Sequence, residues 1–218
     1  MTFISDSLNR IKPSATMVIT AKATQLKREG KKVIGLSSGE PDFDTPQHVK
    51  QAAIDAINSG YTKYTNIEGI PELRQSIVEK FKKDNDLNYD VSNVIVGTGG
   101  KQILFNALMS SLNKDDEVII PAPYWVSYPD MTLLAGGKPI FVNCSSETNF
   151  KLTGEALEKV ITKKSKWLIL NSPSNPTGSC YSISELEEIA DVVRKYDNLY
   201  VMTDDIYEYL SLIHISEP

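Results

Sequence analysis

A proline-rich turn, residues 171–178, holds the first side chain with a clear chemical use. It follows the apolar run 167–170, which predicts a buried strand. Asn175 precedes Pro176. A residue before proline is restricted to extended or turn conformations, so the amide of Asn175 can be aimed with little freedom. Because open α/β sheets place ligand contacts at the carboxyl ends of their strands, this turn is a candidate ligand-binding segment.

A second strand end lies further along the chain, where Asp204 and Tyr207 follow the apolar run 199–202. A carboxylate there can bind a metal, accept a hydrogen bond from a ring N–H group, or cap a turn. Asp205 adds a second carboxylate, but no third acidic residue stands at a neighbouring strand end, so we predict no metal site. An amide, a carboxylate and a phenol at two strand ends predict a site for a polar, planar cofactor.

Glycines and a tryptophan follow two more predicted strands. The turn 97–102 contains Gly99 and Gly100 before a helix, and the N–H groups at a helix N-terminus attract phosphate. Its spacing is neither that of a P-loop nor that of a dinucleotide fingerprint, so phosphate binding and a purely structural turn are both open. Trp125, after the two prolines of 121–123, can lie flat on an aromatic ligand or pack in the core at the head of a helix.

Together these four segments match the parts of pyridoxal 5′-phosphate (PLP). The glycine-rich turn suits the phosphate, and Trp125 suits the flat ring. Asp204 suits the ring nitrogen, provided that its carboxylate stays ionised beside a pyridinium. Tyr207 suits the phenolic oxygen, and Asn175 supplies an amide at the same site. We therefore predict a PLP site.

The elements that must position these side chains alternate between strand and helix, which favours a mostly parallel sheet covered by helices. Apolar runs predict strands at residues 33–36, 94–96, 117–120, 139–142, 167–170 and 199–202. Apolar residues at helical spacing predict helices that begin after an N-cap at Thr45, at Pro71, and after the glycine-rich turn. Ser184 and Glu187 predict a capping box at the start of a later helix.

We predict three parts along the chain: an N-terminal arm with part of a small domain (1–45), a partial large domain (46–210), and a non-native tail (211–218). The chain stops one short segment after a predicted buried strand, which leaves little to complete or cover the sheet. We interpret this as truncation near residue 210. A genuine short terminus is the alternative.

The overall composition excludes several classes of protein. A formal net charge of -5 argues against a nucleic-acid binder. No apolar run approaches the roughly 20 residues that span a bilayer. The N-terminus lacks the basic and apolar segments of a secretory signal. Cys144 and Cys180 have no metal-type spacing and predict free thiols in a reducing cytosol, hence a cytoplasmic protein.

Seven segments, in order along the chain, resemble the class I aminotransferases, a fold-type I family of PLP-dependent enzymes, and among them the bacterial aspartate aminotransferases. The segments are 12–14, 39–46, 63–74, 99–102, 123–129, 171–178 and 204–208. The resemblance implies a three-layer α/β/α large domain with a mostly parallel sheet that is incomplete here. It also implies a homodimer in the full-length protein. The activity it implies is transfer of an amino group from aspartate, or a similar amino acid, to a 2-oxo acid such as 2-oxoglutarate.

The resemblance implies a contact with the phosphate or the ring face for five residues. Gly99, Gly100 and Lys101 would hold the phosphate, largely through backbone N–H groups. Tyr64 would reach the phosphate of the neighbouring subunit's cofactor. Trp125 would stack on the pyridine ring.

The resemblance also assigns partners to the polar atoms of the ring. Asn175 and Tyr207 would hydrogen-bond the phenolic oxygen, and the bond between Asn175 and Pro176 would be cis. Asp204 would keep the ring nitrogen protonated. The substrate would contact Gly39, Lys101, Trp125 and Asn175, with Lys101 near the distal carboxylate of a dicarboxylic substrate.

One part of the family pattern does not occur in these 218 residues. Family members have, further downstream, a lysine that binds the cofactor covalently and then an arginine that grips the substrate α-carboxylate. Lys101 does not lie in the matching motif, so we assign no catalytic residue and expect an inactive fragment of an aminotransferase. A non-catalytic PLP-fold binding or regulatory module is one alternative, and a prephenate or aromatic aminotransferase is another.

Overall fold

The computed structural model describes residues 3–36, 39 and 43–210. The chain divides into two compact units, residues 13–97 and residues 1–12 with 98–218. The predicted boundary between residues 45 and 46 stays a prediction, and the predicted tail 211–218 lies outside the described residues. No helix in the described part is both long and apolar enough to cross a membrane.

The described residues of 13–97 form three α-helices. They are α1 (Ala15–Arg28), α2 (Gln47–Asn58) and α3 (Pro71–Asn85), followed by a 3₁₀ turn at Val91–Asn93. Pro71 begins α3, as predicted, because proline has no N–H group to lose at the first helical position. The predicted N-cap at Thr45 is wrong: Pro46 is the N-cap of α2 and no side chain caps the helix.

The predicted strands at 33–36 and 94–96 are not formed. Residues 33–36 have no sheet partner among the described residues, and the side chain of Leu36 is 92% exposed. In the second run, the Val96 N–H donates to the Glu68 carbonyl at 2.9 Å and Arg74 Nε donates to the Val94 carbonyl at 3.0 Å. These contacts pair two backbone groups of that run without a neighbouring strand.

In the other unit, the described residues form a four-stranded parallel sheet. Its strands are β1 (Glu117–Ala122), β2 (Lys138–Asn143), β3 (Ser165–Asn171) and β4 (Tyr200–Asp204), in the spatial order β2-β1-β3-β4. Its helices are α4 (Gly100–Ser111), α5 (Ser127–Leu134), α6 (Gly154–Glu158) and α7 (Ile183–Val193). Short 3₁₀ turns lie at Asp6–Arg10 and Ser146–Thr148. All four strands were predicted, each from a continuous apolar run.

Helices cover both faces of this sheet. Alternate residues of a strand point to opposite faces, so Val118 and Ile120 pack in one apolar cluster with α4 and α5. Ile119 packs in a second cluster with α6 and α7. In β3, Ile169 belongs to the first cluster and Leu168 to the second. The predicted α/β fold, with three layers around a parallel sheet, is confirmed.

The capping box of α7 lies two residues earlier than predicted. Ser182, not Ser184, precedes the helix, and its hydroxyl accepts from the Glu185 N–H at 3.3 Å. Glu185 Oε2 accepts in return from the Ser182 N–H at 2.7 Å. The pair predicted, Ser184 with Glu187, has the same spacing but lies inside the helix, so spacing alone selected the wrong register.

Candidate functional site

A cavity of about 310 Å³ opens at the carboxyl ends of β3 and β4. Small-ligand sites commonly measure about 300–1,000 Å³, so the cavity is large enough for a small cofactor. The chain places β2 on one side of β1 and then crosses to form β3 on the other side. Open parallel sheets bind ligands at such a crossover, and the cavity lies on its β3 side. The predicted site residues that line it are Gly99, Gly100, Lys101, Trp125, Asn175, Asp204 and Tyr207.

The N-terminus of α4 forms one end of this cavity. Gly99 is the N-cap and has φ 84°, a left-handed conformation that a residue with a side chain adopts at a cost. The N–H groups of the first helical turn have no acceptor within the helix, and the helix dipole favours an anion beside them. Gln102 Oε1 accepts from the Thr98 N–H at 2.5 Å and holds the turn against the helix. This end of the cavity suits a phosphate group.

The ring of Trp125 forms a wall of the cavity immediately before α5. Its edge meets Tyr128 with ring centroids 5.4 Å apart and ring planes at 86°. The Lys101 ammonium lies 4.9 Å from the centroid of the Trp125 ring, a distance typical of a cation–π contact. The cavity therefore combines a positive charge and an aromatic ring next to the helix N-terminus.

A carboxylate lies at the end of β4, where Asp204 is the last residue. Its Oδ2 accepts from the Tyr128 hydroxyl at 2.7 Å, and its Oδ1 accepts from the Ile206 N–H at 3.4 Å. Tyr128 is 2% exposed; its burial, and then the bond to Asp204, raise the pKa of the phenol well above its usual range. The Tyr128 hydroxyl therefore stays protonated at neutral pH and acts as a donor to Asp204.

An amide and a phenol meet on the same side of the cavity. Asn175 Nδ2 donates to the Tyr207 hydroxyl oxygen at 3.1 Å. That bond uses the Tyr207 oxygen as acceptor, so the hydroxyl hydrogen is available to a ligand. The Asn175–Pro176 bond is cis, as the sequence resemblance implied. Both groups can donate to one ligand oxygen.

Another asparagine that lines the cavity, Asn171, connects these groups. Asn171, the last residue of β3, donates from Nδ2 to the Asp204 backbone carbonyl at 2.6 Å. Its Oδ1 accepts from the Asn175 N–H at 2.7 Å. One side chain thus contacts both neighbouring segments of the cavity.

The sequence matches a known family over most of its length. The profile of the family "Aminotransferase class I and II" matches residues 31–212. The chain belongs to this family.

Curated aminotransferases resemble the chain over nearly all of its residues. A "Probable aspartate/prephenate aminotransferase" of Rickettsia bellii is 61% identical over 211 residues, which are 97% of this chain and 53% of that protein. An "Aspartate/prephenate aminotransferase" of Cereibacter sphaeroides is 57% identical over 210 residues, 96% of this chain and 52% of that protein. The chain spans about half the length of the curated relatives it matches.

Solved aminotransferase structures share the fold. The aspartate aminotransferase from Rhizobium meliloti has a TM-score of 0.91 and 48% identity, and the match covers 95% of this chain and 52% of that one. The Thermus thermophilus enzyme with maleate has a TM-score of 0.93 and 45% identity, covering 96% and 55%.

Class I and II aminotransferases depend on PLP, and the groups around the cavity fit that cofactor. A helix N-terminus suits the phosphate, an indole suits the ring, and a carboxylate suits a protonated ring nitrogen. Among the described residues, no group of three or more His, Cys, Asp or Glu side chains is placed to hold a metal ion. Neither Cys144 nor Cys180 forms a disulfide in the part of the chain that the structure describes.

Two predicted site residues of this chain lie outside the unit that contains the cavity. Gly39 and Tyr64 belong to residues 13–97, and the Tyr64 side chain is fully exposed there. Their roles stay predictions. Conversely, sequence reasoning missed Tyr128 and Asn171. Two signals in the sequence could have found them. Tyr128 follows Trp125 by about one helical turn, and Asn171 stands at a strand end.

Proposed function

We propose that the whole protein is a PLP-dependent aminotransferase. It transfers an amino group from aspartate, or a similar amino acid, to a 2-oxo acid such as 2-oxoglutarate. The observation that supports this most is the meeting of Asp204, Asn175, Tyr207 and Trp125 at one cavity beside the N-terminus of α4. The names of the relatives point to the same activity.

In this proposal the α4 N-terminus binds and orients the cofactor by its phosphate. The backbone N–H groups of Gly99, Gly100 and Lys101 donate to the phosphate oxygens, and the ammonium of Lys101 adds positive charge. Trp125 supports one face of the ring. PLP, when bound, supplies an electron sink for the carbanion that forms at the substrate α-carbon.

The other end of the cavity holds the polar atoms of the ring. Asp204 accepts from the protonated ring nitrogen, while the Tyr128 hydroxyl holds the second oxygen of its carboxylate. Asn175 and Tyr207 donate to the phenolic oxygen. These residues therefore keep one proton at the ring nitrogen and negative charge at the phenolic oxygen.

Substrate binding is proposed for Gly39, Lys101, Trp125 and Asn175. The Lys101 ammonium suits the distal carboxylate of a dicarboxylic amino acid, because it forms no ion pair shorter than 4.0 Å with a described carboxylate. We also propose that two subunits form a homodimer, in which Tyr64 reaches the partner's cofactor phosphate, and that the enzyme works in the cytoplasm.

The test uses the whole protein reconstituted with PLP. We expect a yellow chromophore that borohydride reduces and retains on the protein, and transfer from aspartate to 2-oxoglutarate that requires PLP. Pyridoxal without the phosphate is the matched control and should bind far more weakly. Absence of both chromophore and transfer contradicts the proposal, whereas PLP binding without transfer supports the non-catalytic module instead.

Prephenate is a second candidate acceptor, favoured by the names of the relatives. The Rickettsia bellii and Cereibacter sphaeroides proteins are both named as aspartate/prephenate aminotransferases. Side-by-side assays with aspartate as donor and either prephenate or 2-oxoglutarate as acceptor decide between a dual and a single acceptor.

A further inference from the structure

The amide of Asn171 bridges two backbone groups from different segments of the cavity. Asn171 ends β3 and stands in register with Asp204, which ends the neighbouring strand β4. Its Nδ2 donates to the Asp204 carbonyl oxygen at 2.6 Å, and its Oδ1 accepts from the Asn175 N–H at 2.7 Å. Both distances are short for N–H···O bonds.

These two partners determine both the residue type and the orientation of the amide. Rotating the amide by 180° would set its oxygen against the Asp204 carbonyl and its NH₂ group against the Asn175 N–H. An aspartate would keep the acceptor and lose the donor, and a leucine would lose both. An asparagine at this position satisfies both backbone groups at once.

Few other groups are placed to form a hydrogen bond with the Asp204 carbonyl or the Asn175 N–H. The Asp204 carbonyl is at the end of its strand, and the Asn175 N–H lies in a turn immediately before Pro176, which has no N–H group. Both groups are partly buried, where an unpaired backbone group is costly, so losing Asn171 would weaken the hold on both segments. The bridge continues outward through Asn175 Nδ2 to Tyr207, at 3.1 Å.

We propose that Asn171 is a positioning residue for the cofactor, which holds the ring-nitrogen partner Asp204 and the phenolic-oxygen partner Asn175 at a fixed separation. This inference rests on the proposed function, in which both residues bind PLP. Asn171 itself acts only through its two neighbours.

The experiment measures binding of pyridoxamine 5′-phosphate, which presents the same ring and phosphate without forming a covalent bond. The whole protein, freed of cofactor, is compared with Asn171→Leu by equilibrium dialysis. We expect the variant to bind about tenfold more weakly, which corresponds to about 1.4 kcal/mol. The matched control is Asn143→Leu, because Asn143 also ends a strand, β2, but is exposed. The control should bind as the unaltered protein does.

The isosteric variant Asn171→Asp keeps the proposal testable if the leucine variant does not fold. It keeps the bond to Asn175 and loses the bond to Asp204, so it also separates the two contacts. At saturating pyridoxamine 5′-phosphate we expect a changed circular dichroism band of the bound ring, with Asn143→Asp unchanged. A role limited to stability would lower the melting temperature and leave that saturated spectrum intact.

The outcomes separate this inference from the function on which it rests. If both Asn171 variants bind pyridoxamine 5′-phosphate as tightly as the unaltered protein, with the same spectrum, Asn171 does not position the site. If the unaltered protein binds neither this compound nor PLP, the proposed function is wrong as well.

Discussion

Carboxylates at opposite ends of the same sheet have very different surroundings. Glu117, at the amino end of β1, is 6% exposed. Its Oε2 accepts from the hydroxyls of Thr162 at 2.5 Å and Ser165 at 3.2 Å, and Lys138 Nζ lies 3.8 Å from Oε1. Asp204, at the carboxyl end of β4, accepts from the Tyr128 hydroxyl and, at 3.4 Å, from the Ile206 N–H, and it lines a cavity. A carboxylate that is enclosed by its protein partners stabilises the fold, whereas one that also lines a cavity can bind a ligand.

Removing the charge of Asp204 is the strongest test of this comparison. We expect Asp204→Asn in the whole protein to lower kcat for transamination by at least roughly 10²-fold, the usual effect of losing one such electrostatic contact. Folding should change little, because asparagine has the same volume and still accepts from Tyr128.

Asp197→Asn is the matched control for that variant, since Asp197 is an exposed aspartate shortly before β4. It should leave kcat unchanged. If Asp204→Asn keeps more than a tenth of the activity of the unaltered enzyme, Asp204 is not the partner of the ring nitrogen.

Glu117 should show the opposite pattern, a loss of stability without a loss of binding. Glu117→Ala leaves the Thr162 and Ser165 hydroxyls without their acceptor, so we expect the free energy of unfolding to fall by about 2–3 kcal/mol. Urea denaturation measures this, with exposed Glu147→Ala as the control. Affinity for pyridoxamine 5′-phosphate should stay the same, and a clear loss of affinity would contradict the division between the two ends.

Tyr128→Phe tests whether the hydroxyl that binds Asp204 matters to the cofactor. We expect about tenfold weaker binding of pyridoxamine 5′-phosphate, because a hydrogen bond to a charged group contributes about 1.5–3 kcal/mol. Tyr181→Phe is the matched control: Tyr181 belongs to the opposite face of the sheet, where its hydroxyl accepts from the Leu152 N–H at 2.8 Å. That variant should lose stability and keep its affinity, and equal losses in both variants would argue against a specific role for Tyr128.

The sequence predicted the site better where residues are close along the chain than where they are distant. Asp204 and Asn175 were found because each follows an apolar run that forms a strand. Tyr128 and Asn171 were missed because their partner Asp204 is 76 and 33 residues away, respectively. Side-chain pairing over such distances depends on strand order, which no local pattern contains.

The fold shows the same limit. Apolar runs predicted the four strands of the sheet, yet they also predicted strands at 33–36 and 94–96 that the described residues do not form. A short apolar run indicates that a segment is suited to a strand, but the partner strand decides whether it becomes one. The capping box likewise was predicted in the wrong register, because Ser182 with Glu185 has the same spacing as Ser184 with Glu187.

The smallest expected effect concerns Glu185, a carboxylate that is well bound but partly exposed. An ion pair with Lys151, and then the Ser182 N–H, lower the pKa of Glu185 from 4.5 to about 2. A pKa that is lower in the folded state adds stability above pH 4.5, and this stability is lost as the pH falls from about 4.5 to about 2.

Comparing Glu185→Gln with the unaltered protein therefore gives a pH-dependent difference in the free energy of unfolding. We expect this difference to be below about 1 kcal/mol at neutral pH, because water screens a partly exposed pair. The difference should become smaller as the pH falls from about 4.5 to about 2. Glu187→Gln, at an exposed position of the same helix, is the control and should show no such trend. A difference for Glu185 that stays constant from pH 7 to pH 2 would mean that the ion pair does not contribute.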